Sequence, residues 1–104
     1  MPDITSTFAA LGDPTRFAIV ERLMTKGALA AGDLLDVADI SAPAISRHLK
    51  VLRRAGILRQ TVDKQRRIYS VDPTAMETIS DWTLSHEDFW KGSLDRLAAA
   101  LGEQ

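Results

Sequence analysis

The segment SAPAISRHLKVLRRAG, residues 41–56, constrains the fold of this 104-residue chain more than any other part of the sequence. Ser41 is a favoured helix N-cap residue, and Gly56 is of the type that commonly follows a helix end. Three apolar residues between them recur at the spacing i, i+4 and i+7, which places them on one helix face: Ile45, Leu49 and Leu52. Broadly opposite lie Ser46, Arg47, Lys50 and Arg54, with Arg53 at the margin. The segment is therefore predicted to be a helix with one face in the core and one basic face.

Positive charge is concentrated around this helix. Residues 47–67 contain eight Lys and Arg residues and one acidic residue, Asp63, which gives this block a net charge of +7. The whole chain has a net charge of −1, so the other 83 residues sum to −8. A clustered basic block indicates a polyanionic partner, whereas a charge run can also be an ordinary solvated face. The neighbouring segments decide between these interpretations.

Three shorter helices are predicted before the basic helix. Ile4, Phe8 and Leu11 recur at helical spacing, and a second helix begins at Asp13 and Pro14. That helix is expected to end at Gly27 and to bury Phe17, Val20, Leu23 and Met24. The stretch LAAGDLLDVADI, residues 29–40, is interpreted as a short third helix that buries Leu34 and Leu35. This third helix and the basic helix, joined by a tight turn, form a predicted helix-turn-helix.

A β-hairpin is predicted directly after the basic helix. The runs ILRQTV and RRIYSV are rich in Ile and Val and are separated by a polar turn. The tip of this hairpin carries Lys64, Arg66 and Arg67, where it can contact phosphates beside a groove that the basic helix enters. The prediction is a single domain, residues 1–104, that is mainly α with a small β-hairpin: a winged helix-turn-helix. Its DNA-binding core spans about residues 13–72, and its partner is double-stranded DNA.

The C-terminal third carries an apolar stripe that is too long for this small core to cover. Residues 73–101 are predicted to be helical, beginning after Asp72 or Thr74, either as one long helix or as two consecutive ones. Together with the helix of residues 3–12, they are interpreted as the interface of a homodimer. The expected interface residues are Ile4, Phe8, Leu11, Ile79, Trp82, Phe89, Trp90, Leu94, Leu97 and Leu101. A ligand pocket lined by Trp82, Phe89 and Trp90 is the alternative, and the identity of any small-molecule effector is left open.

The stretches LGDPTRFAIVERLM, LAAGDLLDVADISAPAISRHLKVLRRAGIL and DKQRRIYSV together resemble the ArsR-type winged helix-turn-helix repressors, which are dimeric transcription factors of bacteria and archaea. The resemblance runs from about Phe8 to Asp72. It implies that Ala42, Pro43, Ser46 and Arg47 face base edges and that Lys50, Lys64, Arg66 and Arg67 hold the DNA backbone. With Ala44 and Arg54 from the same helix, these ten residues are the expected DNA-contacting set.

The chain departs from the family in two places. Ala42 and Ala44 stand where relatives often have polar residues, which reduces hydrogen-bond readout and leaves apolar contact with thymine methyl groups. Ala30 and Gly32 stand where metal-responsive members have cysteines, and the chain contains no cysteine at all. A second family site uses His and carboxylate ligands on the last helix, but His86 is the only histidine there and is interpreted as structural or partly buried rather than as a metal ligand. We therefore expect neither a metal site nor a cofactor.

The other function classes find less support in the sequence. No glycine-rich phosphate loop or cysteine nucleophile is present, and Ser46 and His48 do not face each other on a helix, so an enzyme is not expected. His48 is interpreted as a packing residue, with phosphate contact as the alternative. The N-terminus lacks the pattern of a secretion signal and no apolar run approaches the ~20 residues of a membrane span, so a cytoplasmic protein is expected. A winged helix used only for protein contact is the strongest competing function, although it would not need a continuous basic face.

Overall fold

The computed structural model describes residues 3–102 and has the predicted winged helix-turn-helix architecture, mainly α with a small antiparallel sheet. The elements in this range are α1 (Ile4–Leu11), α2 (Pro14–Lys26), β1 (Leu29–Ala30), a 3₁₀ helix (Ala31–Leu34), α3 (Ala42–Arg54), β2 (Leu58–Asp63), β3 (Arg66–Val71), α4 (Pro73–Ser85) and α5 (Glu87–Gly102). The strand order is β1-β3-β2, and both pairings are antiparallel. Residues 1, 2, 103 and 104 of the predicted domain lie outside the described residues.

Side-chain caps fix where four of the helices begin. Asp3 accepts a hydrogen bond from the Ser6 backbone N–H at 2.8 Å, and Asp13 accepts one from the Arg16 N–H at 3.0 Å. Ser41 caps α3 and Asp72 caps α4 in the same way. These bonds satisfy N–H groups that have no partner inside the helix, and the N–H donors lower the pKa of the Asp13 and Asp72 carboxyls. The predicted caps at Asp13, Ser41 and Asp72 are confirmed.

The core lies between α2, α3 and the sheet. The buried apolar residues are Ala10, Ile19, Val20, Leu23, Leu34, Ile45, Leu49, Leu52, Ile57, Leu58, Tyr69 and Ala75. The prediction for α2 is half wrong, because Phe17 and Met24 are 52% and 51% exposed. The inward face of α2 is formed by Ile19, Val20 and Leu23, so the two predicted residues lie on an edge that this core does not reach.

The predicted third helix is replaced by a short strand and a single 3₁₀ turn. Leu29 and Ala30 pair with Tyr69 and Ile68 of β3, which holds the chain extended up to the start of the turn. Gly and Asp residues in the stretch that follows disfavour an α-helix. Leu34 is buried as expected, whereas Leu35 is 42% exposed. The first helix of the predicted helix-turn-helix is therefore shorter than its sequence pattern indicates.

The hairpin follows α3 through a tight connection. Gly56 has φ +79°, a left-handed conformation in which glycine is unstrained, and the next residue, Ile57, donates its N–H to the Leu52 carbonyl at 3.0 Å. Strands β2 and β3 pair from Leu58↔Val71 to Asp63↔Arg66 around a two-residue turn. The predicted β-hairpin is confirmed.

The C-terminal segment consists of two helices that break at His86. The Thr83 carbonyl accepts from the His86 N–H and from the Trp90 indole Nε1, both at 3.2 Å. The Trp82 carbonyl accepts from His86 Nδ1 and from the Ser85 hydroxyl, both at 2.8 Å. These bonds satisfy carbonyls that the helix end leaves without partners. Of the two alternatives given for His86, the structural role agrees with these bonds, and the side chain is exposed.

Candidate nucleic-acid interface

The recognition surface begins with the outward face of α3. Because Ile45, Leu49 and Leu52 are almost completely buried, they set which face of α3 points into the core. Arg47 and Arg54 are seven residues apart on the side directly opposite this apolar face, and both are exposed. A groove of DNA that approached α3 would meet these two guanidinium groups first.

A second row of residues on α3 faces the hairpin. Ser46, Lys50 and Arg53, at the spacing i, i+4 and i+7, line a recess together with Arg67 and the buried Tyr69 of β3. We call this surface the basic recess. Arg53 was placed only at the margin of the basic face and was left out of the predicted DNA-contacting set. Its spacing from Ser46 and Lys50 was the signal that could have included it.

The strand register divides the hairpin cations between two faces. Arg67 and Tyr69 are two residues apart in β3, so their side chains lie on the same face of the sheet, which packs toward α3. In β2, the residue opposite Arg67 is Val62. Arg66 and Ile68 lie together on the opposite face of the sheet. Lys64 occupies the turn with φ +60°. All three cations are exposed, as expected for contacts to phosphates, but only Arg67 contributes to the basic recess.

The side chains of seven basic residues on this surface have no hydrogen bond or ion pair within residues 3–102. They are Arg47, Lys50, Arg53, Arg54, Lys64, Arg66 and Arg67. Other arginines of the chain behave differently. Arg22 pairs with Asp36, and Arg59 pairs with Asp72 at 3.3 Å. Seven exposed positive charges that nothing neutralises create a strong positive potential over α3 and the hairpin. This is the electrostatic surface that a polyanion needs.

The first turn of α3 presents small apolar residues. Ala42 and Pro43 are exposed, and Ala44 is half-buried with its N–H donating to the Ser41 hydroxyl at 3.3 Å. Of the ten predicted DNA-contacting residues, Ala44 is the least accessible. A ligand that met this turn would find methyl and ring surfaces rather than hydrogen-bonding side chains.

The predicted interface residues lie on α1, α4 and α5, and the aromatic ones among them form a partly exposed cluster. Phe8 packs edge-on against Trp82 with ring centroids 5.9 Å apart, and Trp82 contacts Trp90 at 6.3 Å. Phe89 lies 4.8 Å from Trp90. We call Phe8, Trp82, Phe89 and Trp90 the aromatic cluster. Each member is between 38% and 59% exposed, and no residue of α5 is buried.

The remaining predicted interface residues differ in exposure. Leu94, Leu97 and Leu101 on α5 are 63%, 54% and 71% exposed. Ile4, Leu11 and Ile79 are half-buried, and Leu11 also packs against the core of its own chain. The α5 end of the surface is therefore the part that the single chain covers least.

The two histidines occupy different settings. His48 is half-buried on α3, and its Nδ1 lies 3.3 Å from Arg16 Nη1 and 3.8 Å from Asp13 Oδ2. It thus contacts α2 and its cap, which supports the packing interpretation. Within residues 3–102, no three His, Asp or Glu side chains come together in a group that could hold a metal ion. Over the same range, no helix is long and apolar enough to cross a membrane.

Comparison with known proteins identifies the family. A helix-turn-helix domain model matches residues 11–61. The HTH-type transcriptional regulator Rv2034 of Mycobacterium tuberculosis is 38% identical over 95 residues, which cover 91% of this chain and 85% of the relative. The transcriptional repressor SdpR of Bacillus subtilis is 33% identical over 82 residues, 79% of this chain and 90% of the relative. The solved structure of a possible transcriptional regulator for arsenical resistance is 30% identical and superimposes with a TM-score of 0.71, covering 91% of this chain and 95% of its own. The chain belongs to the ArsR-type helix-turn-helix transcriptional regulators.

The solved structure of an ArsR family transcriptional regulator has the same fold as this ArsR-type protein. It superimposes with a TM-score of 0.75 at 23% identity and covers 88% of this chain and 97% of its own. The resemblance seen in the sequence is thus confirmed, and so is the class of DNA-binding transcription regulator. Both of the relatives named above are regulators of transcription.

Proposed function

We propose that this ArsR-type regulator is a homodimeric repressor that binds a pseudo-palindromic operator in duplex DNA. The observation that carries the proposal is the set of seven exposed cations on α3 and the hairpin whose side chains have no hydrogen bond or ion pair within residues 3–102. Duplex DNA is a dense polyanion, and neutralising its phosphates releases counterions, which supplies most of the affinity. A module that contacted only proteins would gain nothing from leaving these charges without partners.

The residues of this surface divide into those that read bases and those that hold phosphates. Arg47 lies opposite the buried face of α3 and can form two hydrogen bonds to a guanine edge. Ala42 offers only a methyl group, which favours a thymine methyl as its contact. Lys50 and Arg67 border the same recess, where they hold one stretch of the DNA backbone beside the groove. We expect a short sequence code, with much of the specificity carried by DNA shape.

The exposed apolar surface supports the homodimer. Leu94, Leu97 and Leu101 keep more than half of their surface exposed in the single chain, and the aromatic cluster lies beside them. Contiguous apolar surface of this kind marks an interaction site, and a second copy offers the matching surface through two-fold symmetry. Such a dimer would place its two recognition helices about one helical turn of DNA apart, ~34 Å.

Release from DNA by thiol chemistry is not part of this proposal. Ala30 lies in β1 and Gly32 in the 3₁₀ helix, where metal-responsive members of the family have cysteines. Since the chain has no cysteine, it offers no thiolate to a soft metal or an oxidant. Control through the abundance of the protein is the simplest remaining mode. A small apolar effector at the aromatic cluster is the alternative.

Two measurements test the proposal. Electrophoretic mobility shift with random duplex DNA at low salt should give a shifted complex, and selection from a random pool should then enrich a pseudo-palindrome. Sedimentation at micromolar concentration should give a dimer. A protein that shifted no duplex would be a protein-contact module, and a monomer that bound DNA with full affinity would contradict the two-fold arrangement.

A further inference from the structure

Arg16, at the third position of α2, forms hydrogen bonds to two other helices. Its Nε donates to the Ala10 carbonyl at 2.6 Å, and Nη2 donates to the Ala9 carbonyl at 3.5 Å. Its Nη1 lies 3.3 Å from Nδ1 of His48 on the recognition helix. One half-buried guanidinium therefore contacts the last turn of α1 and the middle of α3.

The chemistry of this contact sets the direction of each hydrogen bond. Arginine only donates, so His48 Nδ1 accepts, and the histidine carries its proton on Nε2. Asp13 Oδ2 lies 3.8 Å from His48 Nδ1. Because both atoms are then hydrogen-bond acceptors, they form no hydrogen bond with each other. Asp13 instead accepts the Arg16 backbone N–H and adds negative charge beside the guanidinium. The Ala10 carbonyl is among those that the C-terminal end of α1 leaves without a partner in the helix, whereas the Ala9 carbonyl also accepts the Gly12 N–H at 3.2 Å.

We propose that Arg16 is a positioning residue for DNA recognition, which fixes the rotation of α3 relative to α1 through its hydrogen bond to His48. The buried side chains of Ile45, Leu49 and Leu52 set which face of α3 points inward, but apolar contacts are not directional and do not fix the exact angle. A hydrogen bond is directional and holds His48 at a set distance. Arg47 is the residue before His48 on the same helix, so what orients His48 also orients the side chain proposed to read bases.

The same bond connects the recognition helix to the proposed dimer surface. Helix α1 carries Phe8, whose ring packs on Trp82 of α4. A continuous set of contacts therefore runs from the aromatic cluster through α1 and Arg16 to His48. This role rests on the proposed operator-binding dimer, in which two recognition helices must enter successive grooves with the same rotation. A helix that rotates by a small angle still meets phosphates but misplaces its base contacts.

The test compares the affinity for a duplex selected by the wild-type protein with the affinity for an unrelated duplex of equal length. The variants are Arg16→Met, which keeps length and loses every donor, His48→Met, which loses the acceptor, and the double variant. His48→Gln is the matched control, because its side-chain oxygen can accept the same hydrogen bond. Each protein is also measured for melting temperature and for its sedimentation coefficient.

We expect Arg16→Met and His48→Met each to lower the ratio of the two affinities by about tenfold, the amount typical of one hydrogen bond. Affinity for the unrelated duplex should stay unchanged, because the seven unpaired cations are intact. The double variant should lose no more than either single variant, and His48→Gln should keep the wild-type ratio.

Several outcomes would overturn the proposal. If both affinities fall together and follow the melting temperature, Arg16 only stabilises the fold. If His48→Gln behaves like His48→Met, or if the losses of the two single variants add, the bond between them does not position the helix. Should Arg16→Met fail to fold, the His48→Met and His48→Gln pair decides alone, since it leaves the bonds to α1 in place. A wild-type protein that selects no duplex refutes operator binding itself, whereas a selected duplex with unchanged variants refutes only the role of Arg16.

Discussion

Replacing Arg67 with alanine should weaken binding to every DNA sequence and make it less sensitive to salt. Arg67 borders the basic recess opposite Lys50 and Arg53, and it has no partner within residues 3–102. A phosphate that lies across the mouth of this recess is therefore neutralised from both sides. Arg67→Ala removes one of these positive charges without removing a side-chain hydrogen bond or ion pair within residues 3–102.

The size of the effect follows from counterion release. Each phosphate neutralised on B-DNA contributes about 0.9 to the slope of log affinity against log salt, so a dimer that loses two such contacts should lose about 1.8 from its slope. Between about 50 and 200 mM salt, the affinity of the wild-type protein should thus fall about twelvefold further than that of the variant. At low salt the variant should be the weaker binder for random and selected duplexes alike.

The assay is fluorescence anisotropy of a labelled random duplex, titrated at several salt concentrations between these limits. Arg59→Ala is the matched control, because it removes the same charge from the same hairpin. Arg59 is already paired with Asp72 at 3.3 Å and lies on the strand face opposite to that of Arg67. We expect its salt slope to equal that of the wild-type protein. Equal losses in the two variants would mean that net charge matters rather than position, and the assignment of the basic recess would be wrong.

Four further predictions address other parts of the structure. Arg47→Ala should reduce discrimination between selected and random duplexes by ~1–3 kcal/mol, the value of one base contact, and unchanged discrimination in competition titrations would show that this side chain reads no base. Leu94→Glu combined with Leu97→Glu should give a monomer in sedimentation that binds the selected duplex weakly, and a persistent dimer would place the interface elsewhere. Leu52→Ala should lower the free energy of unfolding by ~2–5 kcal/mol in urea titrations, because the side chain is fully buried, and a change below about 1 kcal/mol would contradict that burial. Arsenite, cadmium and zinc should leave a preformed complex intact in anisotropy measurements, and release by any of them would reveal a metal site without thiolates.

Strong local signals made α3 and the hairpin predictable from the sequence. Ser41 and Gly56 mark the ends of the helix, and three buried residues at helical spacing define its inner face. Two strand-like segments rich in Ile and Val flank a short polar turn, so their pairing follows from residues that are close together in the chain. In these segments the local preferences agree with the tertiary packing, so the predicted elements form as expected.

The errors arose where distant parts of the chain decide the outcome. The strand β1 exists because Leu29 and Ala30 meet β3, about forty residues later, and no local pattern announces that pairing. The apolar stripe of α2 is wider than the surface that covers it, so the sequence could not tell that Phe17 and Met24 would remain exposed. Whether the C-terminal segment was one helix or two was left open, and the break depends on the hydrogen bonds of His86 and Trp90 to carbonyls of the preceding turn.

The candidate site was predictable as a set of residue types but not as a geometry. The sequence placed basic residues on α3 and at the hairpin tip, and all of these cations are exposed. It could not assign Arg66 and Arg67 to opposite faces, since that requires the register of β3 against β2. Arg53 is also missing from the predicted DNA-contacting set. Its spacing from Ser46 and Lys50 is visible in the sequence, but the recess that it borders is formed only when the hairpin packs beside the helix.

The distribution of charge allows the proposed DNA-binding and dimer surfaces to coexist on a small chain. Seven of the eight basic residues between positions 47 and 67 are unpaired and lie on α3 or the hairpin. Helices α4 and α5, which carry seven of the fourteen exposed large apolar residues within residues 3–102, have five acidic residues against two basic ones. DNA is therefore attracted to one part of the molecule and repelled from the part that a second copy would cover. Because the two surfaces prefer different partners, a high concentration of DNA should not displace the second subunit, and dimerisation should strengthen operator binding rather than compete with it.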